Sequence, residues 1–598
     1  MGYFEVFKKD ANDISNFSAA NNPRLSNLRI KIKDDTRHCV GLQPNHSISK
    51  EFVVPEKGHL VFGLAARMPK GLEKQYYLEV LARQESGSLV SLYKTGFDAK
   101  REWKDHDINL HRFAGRKVKM IFQFVYEGDT KKQEFAKALA FVSNPRVIRD
   151  EPDKPNIILI VLDALRADHV SYDPAEPGVT PRLAGLASKG VGFKRHYSQS
   201  SWTGPSVPSL LTSRMPAQNR NFSFASMKLP AEQKTMTDIL SASGRRTAAV
   251  STQLIVSHRF NYDRGFDCFK FAFNLPYSGG RSGEAITDKA TSWLESYHEL
   301  PFFLYLHYMD PHEPYMPPWG FIEPDKDKVS RLKYIATIPW WGKYNVKNIF
   351  PLYPLRFKET YKSLYRTEVR YMDYSLGKLF DKLAELGLMK NTMIVITSDH
   401  GEAFFEHGTM MGHGTSLYEE QVKIPFIIYY PPEIEGGRVV KSVTSNLDLL
   451  PTVLDYAGLP PAEGLMGRSL RPVIEGEIKE RERAVFAELP RLINYHYLHP
   501  DHRKGQKDSL VRAMITKKYK IIEYTDQEEN ASRVEVYNLE KDPAEKNPYP
   551  LHREEKFLSY KNQMDEFFQN LGAEIPPPGS EQPNRQEVEI LKSLGYVR

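Results

Sequence analysis

Six consecutive apolar residues, Ile157-Ile158-Leu159-Ile160-Val161-Leu162, run straight into an acid, Asp163. An unbroken apolar run of strand length belongs to a strand covered on both faces, the mark of a parallel sheet in an α/β fold. The pattern recurs at Met393-Ile394-Val395-Ile396-Thr397, which leads into Ser398-Asp399-His400-Gly401. Before it, Tyr365, Val369, Met372, Leu376, Leu379 and Leu383 repeat every three or four residues. That spacing predicts one apolar face of a long helix stopping near Gly387. Helix followed by buried strand is the α/β signature. Shorter runs at 247–250, 302–307 and 425–430 extend the expectation to an open mixed sheet with helices on both faces.

A chain of 598 residues exceeds one core, and two to four units are expected. Between residues 47 and 147, short alternating stretches separated by turn residues, such as 59–64, 76–81 and 118–124, predict an antiparallel β-sandwich. Charge and proline in Asp150-Glu151-Pro152-Asp153-Lys154-Pro155 mark its end. The expected division is an N-terminal sandwich over 1–150, carbohydrate-binding or structural, a catalytic unit over 151–475, and a C-terminal subdomain with tail over 476–598. Trp103, Leu110 and Phe113 read as sandwich core in preference to a sugar-stacking platform. The last unit is expected to hold a short antiparallel sheet (513–519, 520–524 and 534–539) beside the active site. A proline-rich stretch, 576–583, tethers a terminal helix at 588–594. Segment 318–358, with Trp319, Trp340, Trp341, Tyr344 and Tyr353, suits a lid over a carbohydrate or lipid head group and equally a small apolar core.

The charge balance, 82 basic against 75 acidic residues, leaves a formal +7. This mild excess, with no basic run interleaved with aromatics, argues against a nucleic-acid partner. The two cysteines, Cys39 and Cys268, are too few for a disulfide framework and read as buried thiols. Neither a secretory signal nor a window of roughly 18 apolar residues is seen, so no transmembrane segment is expected. The expected location is cytoplasmic, or extracytoplasmic if the native start is missing.

Ligands of open α/β sheets collect at the carboxyl ends of strands. Asp163 and Asp399-His400 follow buried runs directly, and His312 lies just beyond a third, 302–306. Two carboxylates and an imidazole on one sheet edge suit a divalent cation such as Ca, Mg, Mn or Zn. His307, at the end of its apolar strand, reads as a satisfied core histidine. Glu402, Glu406 and His407 crowd the Asp399 loop and are left unassigned.

These segments are similar to successive motifs of one family. Residues 156–168 (NIILIVLDALRAD), 201–216 (SWTGPSVPSLLTSRMP), 307–318 (HYMDPHEPYMPP), 397–401 (TSDHG) and 412–425 (GHGTSLYEEQVKIP) resemble, in order and spacing, the sulfatase family of the alkaline phosphatase superfamily. So do 446–459 (NLDLLPTVLDYAGL), 537–543 (YNLEKDP) and the terminal LKSLGY. The resemblance implies an alkaline phosphatase/sulfatase-like mixed sheet flanked by helices, with the N-terminal β-sandwich and a small C-terminal α+β subdomain. It implies that Asp163, Asp399, His400 and Thr203 hold a divalent metal ion, that Thr203 is the nucleophile, and that His312 and His413 contact the transferred group. A hydroxyl on a divalent cation loses its proton more readily and can attack in line, while the two histidines spread charge or protonate the leaving alcohol.

Departures bear on the substrate. Sulfatases carry an oxidisable Cys or Ser in a Cys-x-Pro-x-Arg segment, and this chain has Thr203-Gly204-Pro205-Ser206-Val207. Threonine cannot become the aldehyde, and Val207 replaces the arginine. Residues 247–258 lack the family's glycine-lysine-tryptophan-histidine element, and Ala164 replaces a second Asp. A threonine nucleophile is similar instead to phosphoethanolamine transferases and lipoteichoic acid synthases. The reading favoured is a metal-dependent hydrolase or transferase of phosphate or sulfate esters, phosphate first. The alternatives are sulfuric ester hydrolysis on a sulfated glycan or small molecule, and a non-catalytic scaffold with a glycan-binding sandwich. Expected partners are a sulfated or phosphorylated small molecule, a glycan or a lipid head group.

Overall fold

The structure, a computed structural model, describes residues 5–7, 18–19 and 28–571 except 70, 98–101, 129–136, 221–226, 273–281, 314, 322–357, 409–410, 479–482, 491–508 and 527–530. Asn156–Leu162 lies between Phe302–Tyr308 and Thr392–Thr397 and runs parallel to both. Every residue of this strand is buried, as an unbroken apolar run requires. Its side chains alternate between two cores. Ile157, Leu159 and Val161 meet Val207 and Leu210 of the helix Thr203–Thr212 and Leu449 and Val453 of the helix Leu449–Tyr456. Ile158, Ile160 and Leu162 meet Leu364, Val369, Met372 and Leu376 of the long helix Lys358–Glu385. The fold is thus a mixed sheet with helices on both faces.

The sheet continues through Arg246–Ser251 and Cys268–Phe271, both parallel to their inner neighbours, while Phe426–Tyr429 runs antiparallel to Thr392–Thr397. Beyond Cys268–Phe271 it does not stop. Phe269 pairs with Thr36, so Asp35–Leu42 and the N-terminal strands Leu139–Arg149, Gly58–Arg67 and Lys104–Asn109 prolong the same sheet. A second sheet, containing His46–Val53, Lys117–Tyr126, Tyr76–Gln84 and Leu89–Gly96, faces these strands across a core of Leu60, Phe62, Leu78, Val80 and Phe122. Leu110 and Phe113 lie in that core. Trp103 packs with Ile30, Ile32 and Cys39, and the Arg37 guanidinium stands 5.2 Å over its ring. All three serve packing. Both cysteines are free and buried.

The C-terminal region is a four-stranded antiparallel sheet, Val485–Pro490, Ser509–Ile515, Tyr519–Asp526 and Ala531–Asn538, with the helix Glu555–Asn570. The strand expected over 513–519 ends at Ile515. Thr516 turns the chain: its N–H donates to the Tyr519 carbonyl at 2.8 Å and its hydroxyl accepts from the Tyr519 N–H at 2.9 Å. The strand Val485–Pro490 was not foreseen. Trp340, Trp341, Tyr344 and Tyr353, the stretch 576–583 and the expected helix 588–594 lie outside the described residues. Among the described residues, no helix is long and apolar enough to cross a membrane.

Where the N-terminal strands join the central sheet, the buried Arg37 pairs with Asp35 Oδ2 at 2.7 Å and with Asp105. Removing one partner of such a group strands the others in a medium that solvates charge poorly. Arg37→Met is therefore expected to lower unfolding stability by about 3–5 kcal/mol in denaturant titrations.

Candidate active site

Because Asn156–Leu162 and Thr392–Thr397 are parallel neighbours, the residues that follow them emerge at one edge of the sheet. Asp163 and Asp399 are both fully buried there. Asp399 Oδ1 accepts from the backbone N–H groups of His400 (2.9 Å) and Ala164 (3.3 Å). Asp163 Oδ2 accepts from Gln253 Nε2 at 2.5 Å and lies 3.3 Å from His307 Nε2. The second oxygen of each carboxylate, Asp163 Oδ1 and Asp399 Oδ2, is buried without a hydrogen-bond partner.

His400 Nε2 stands 3.5 Å and 3.6 Å from these two oxygens. The ring's Nδ1 faces the Gly401 carbonyl at 2.8 Å. A carbonyl only accepts, so in the neutral ring Nδ1 carries the proton and Nε2 presents a lone pair. Two unpartnered carboxylate oxygens and an imidazole lone pair then point together, a repulsive arrangement unless a cation sits among them. Ligand atoms of Asp163, His307 and Asp399 also lie within 4.8 Å of one another. The residues present fit a divalent cation on their donor chemistry.

Thr203 completes the group. It is the first residue of the helix Thr203–Thr212, fully buried, with Oγ1 3.3 Å from His400 Nε2. The positive end of the helix dipole favours negative charge at this oxygen and on any anion bound beside it. Val207, one turn on, is buried in the core. The turn carrying His400 is tight: at Gly401 a Cβ would stand 2.1 Å from the Glu420 carbonyl.

Two further imidazoles face this centre. His312 and His413 have ring centroids 4.7 Å apart, and His413 lies 4.3 Å from His400. His312 Nδ1 donates to the Glu313 carbonyl at 2.6 Å. His413 Nδ1 lies 3.0 Å from Glu402 Oε1, and the Tyr315 hydroxyl donates to Glu402 Oε2 at 3.0 Å. All six residues read from the sequence (Asp163, Thr203, His312, Asp399, His400 and His413) are brought to one edge. His307 is satisfied, by Tyr305 at 2.8 Å and by Asp163, yet it also touches the centre. Gln253 and Tyr315 were missed and Glu402 was left unassigned. Gln253 follows the strand Arg246–Ser251 by two residues, so the strand-end rule reaches it too. Glu406 and His407 turn elsewhere, to Arg166 and Glu420.

Burial, then the Asp163 carboxylate, pushes Asp399 up to about 6. Burial also works against ionised Asp163, but His312, His307 and His400 outweigh it and hold that group well below the usual range. For His312, burial favours the neutral ring, and Asp163, Glu402 and Glu313 together reverse this and raise it. Burial, helped by the charge on His312, brings His413 down to about 4. Glu402 is raised to about 7 by burial, against His312 and His400. At neutral pH the site therefore holds, beside His400, one imidazole inclined to be cationic and one neutral.

In the metal-free protein Asp399 binds its proton more tightly folded than unfolded, since its folded value of about 6 exceeds the ordinary 3.8. Its contribution to stability is lost as pH rises through about 6. Asn cannot ionise. Metal-free Asp399→Asn is expected to exceed the parent in stability at pH 8 by on the order of 1–3 kcal/mol. The difference should vanish near pH 4, and added Zn or Mn should raise the Tm of the parent more than that of the variant.

A sulfatase family model matches residues 155–459, and a model of the N-sulphoglucosamine sulphohydrolase C-terminal region matches 406–573. An N-acetylglucosamine-6-O-sulfatase of Bacteroides thetaiotaomicron is 25% identical over 494 residues, covering 69% of this chain and 85% of its own. An ulvan-active sulfatase of Formosa agariphila is 27% identical over 361 residues, 56% of this chain and 68% of its own. Among solved structures, a complex with the substrate D-glucosamine-2-N,6-O-disulfate aligns with a TM-score of 0.55 at 22% identity, over 70% of this chain and 97% of that one. A phosphonate monoester hydrolase of Agrobacterium radiobacter aligns with a TM-score of 0.54 at 19% identity, over 71% and 96%. The structural likenesses establish the fold. With the family model spanning just over half the chain, the protein belongs to the sulfatase family, within the alkaline phosphatase superfamily, and is a sulfatase-like ester hydrolase.

Proposed function

We propose that this hydrolase cleaves phosphate mono- or diesters through Thr203, within a catalytic unit over residues 151–475. The observation that carries the reading is Thr203 Oγ1 at a helix N-terminus, 3.3 Å from His400 Nε2 and beside the unpartnered oxygens of Asp163 and Asp399. Asp163, Asp399, His400 and Thr203 would hold the cation, with His307 and Gln253 fixing Asp163 Oδ2. When bound, the cation lowers the pKa of the Thr203 hydroxyl and offsets charge on the transferring group.

The Thr203 oxygen, its hydroxyl proton given up to solvent, attacks phosphorus in line, forming a bond to phosphorus as the bond to the ester oxygen breaks, and leaves again as the alkoxide when water attacks. His312, inclined to carry a proton, donates it to the leaving alcohol and as the neutral ring then accepts one from the water that attacks the threonine phosphate. His413, held by Glu402, lines the same wall. An aldehyde hydrate can expel its ester from its own carbon. Threonine has no second hydroxyl there, so release requires attack at the central atom, a step phosphorus accepts readily. The N-terminal sandwich, with its aromatics in the core, serves as structure.

A second reading is sulfate ester hydrolysis on a sulfated sugar, favoured by the relatives named for N-acetylglucosamine-6-O-sulfate and ulvan.

Matched p-nitrophenyl phosphate, phosphodiester and sulfate, each with added Zn, Mn, Mg or Ca, separate the two. Phosphate ester turnover should exceed sulfate and fall about 10³-fold or more in Thr203→Ala, with Thr203→Ser partly active. Sulfate turnover surviving Thr203→Ala would sink the assignment. His312→Ala should cost about 10²–10⁴-fold on an alkyl ester and far less on the p-nitrophenyl ester, whose leaving group needs no proton.

A further inference from the structure

A second group of metal-ligating side chains stands apart from the candidate active site. His407, on the loop that follows Asp399-His400, places Nε2 3.6 Å from Glu420 Oε2. Ligand atoms of His407, Glu420 and Glu545 all lie within 4.8 Å of one another. Glu420 is 9% exposed and Glu545 1%. Four bonds of about 2.0–2.1 Å around one tetrahedral ion set ligand atoms roughly 3.4 Å apart, close to the His407–Glu420 separation.

The independent sign of a missing partner is Glu420 Oε1, a buried carboxylate oxygen with no hydrogen bond. An oxygen in that condition is costly unless a cation or donor meets it. The plane of the imidazole is fixed. The Tyr418 ring stacks on it at 3.7 Å and 12°, and the Tyr418 hydroxyl is tied to Glu535 Oε2 at 2.8 Å. Lys520, fully buried, faces Glu545 Oε1 at 3.1 Å and Glu419 Oε1 at 3.4 Å. Glu545 Oε2 accepts from the Glu419 N–H at 2.6 Å, which ties this carboxylate to the helix that carries Glu420.

We infer that His407, Glu420 and Glu545 form a second divalent-cation site, of a donor set suited to zinc, that clasps the active-site loop to the C-terminal region. One imidazole and two carboxylates leave a fourth position for water. The ligands come from three places: the loop Glu406–Gly408, the helix Glu419–Val422 and the segment after the strand Ala531–Asn538. The clasp bears on the active site because the Glu402 N–H donates to the Glu420 carbonyl at 2.9 Å and the Gly401 N–H to the Gln421 carbonyl at 2.8 Å.

The experiment is zinc content of tag-free, chelator-stripped protein after saturation with Zn²⁺ and desalting. Wild type is expected to hold two equivalents, His407→Ala one, and Asp163→Asn/Asp399→Asn one. Adding Glu420→Gln to the latter pair should remove that last equivalent. Zinc should raise the Tm of the Asp163/Asp399 double variant and leave it unmoved once His407→Ala is added. Equal zinc content in wild type and His407→Ala overturns the site, as does a double variant whose zinc survives His407→Ala. The wild-type against His407→Ala difference is read whether or not Asp163 and Asp399 bind metal, so failure here is distinct from failure of the catalytic reading.

Discussion

Two carboxylates, Asp163 and Asp399, stand fully buried at the ends of adjacent parallel strands, and the surrounding structure answers the cost of keeping them there. Burial, and after it repulsion from the other carboxylate, drives Asp399 toward its protonated form, while imidazoles outweigh burial and hold Asp163 ionised. Half of the oxygens are met by Gln253, His307 and two backbone N–H groups. The other half, each about as far from His400 Nε2 (3.5 Å and 3.6 Å), form a pocket of electron pairs suited to a cation.

The sheet makes this tolerable. Asn156–Leu162 is buried on both faces, with its odd residues in one core and its even residues in the other, so the edge where it ends is held rigidly from two sides. One of those cores also anchors the helix Thr203–Thr212 through Val207 and Leu210, which fixes the position of the Thr203 hydroxyl. Neighbouring groups do the same for the histidines: Tyr315 and Glu402 hold His413, and the Glu313 carbonyl holds His312. Charge distribution follows from burial and neighbours, not from residue type, since His312 and His413 are shifted in opposite directions.

On the proposed reading, a threonine at the nucleophile position changes what the scaffold asks of the walls of the site. A single hydroxyl would then serve both to attack and to be freed, and both steps would draw on proton transfer by the histidines of the site. Val207, buried in the core, puts no charge on the helix side, and His312 is held toward its charged form by Asp163, Glu402 and Glu313 against the effect of burial.

The α/β class, the buried strands, the long helix and the strand-end acids are local properties: an unbroken apolar run or a three-to-four spacing carries its meaning within a few residues. Asp163, Asp399 and His400 were legible for that reason, and Gln253 would have been by the same rule. What the sequence alone could not decide depends on pairing across distance. Phe269 against Thr36 makes one continuous sheet of two regions that composition separates at 150–155. His307 looks like core in sequence, and only the register that sets Val161 beside it brings it to Asp163. Glu402, Glu406 and His407 sit within six residues, yet the turn of the loop sends them to His413, Arg166 and Glu420. Sequence determined which groups could do chemistry here; the tertiary structure decided which of them meet, because hydrogen bonding and coordination act over about 3 Å while the residues involved lie up to hundreds apart.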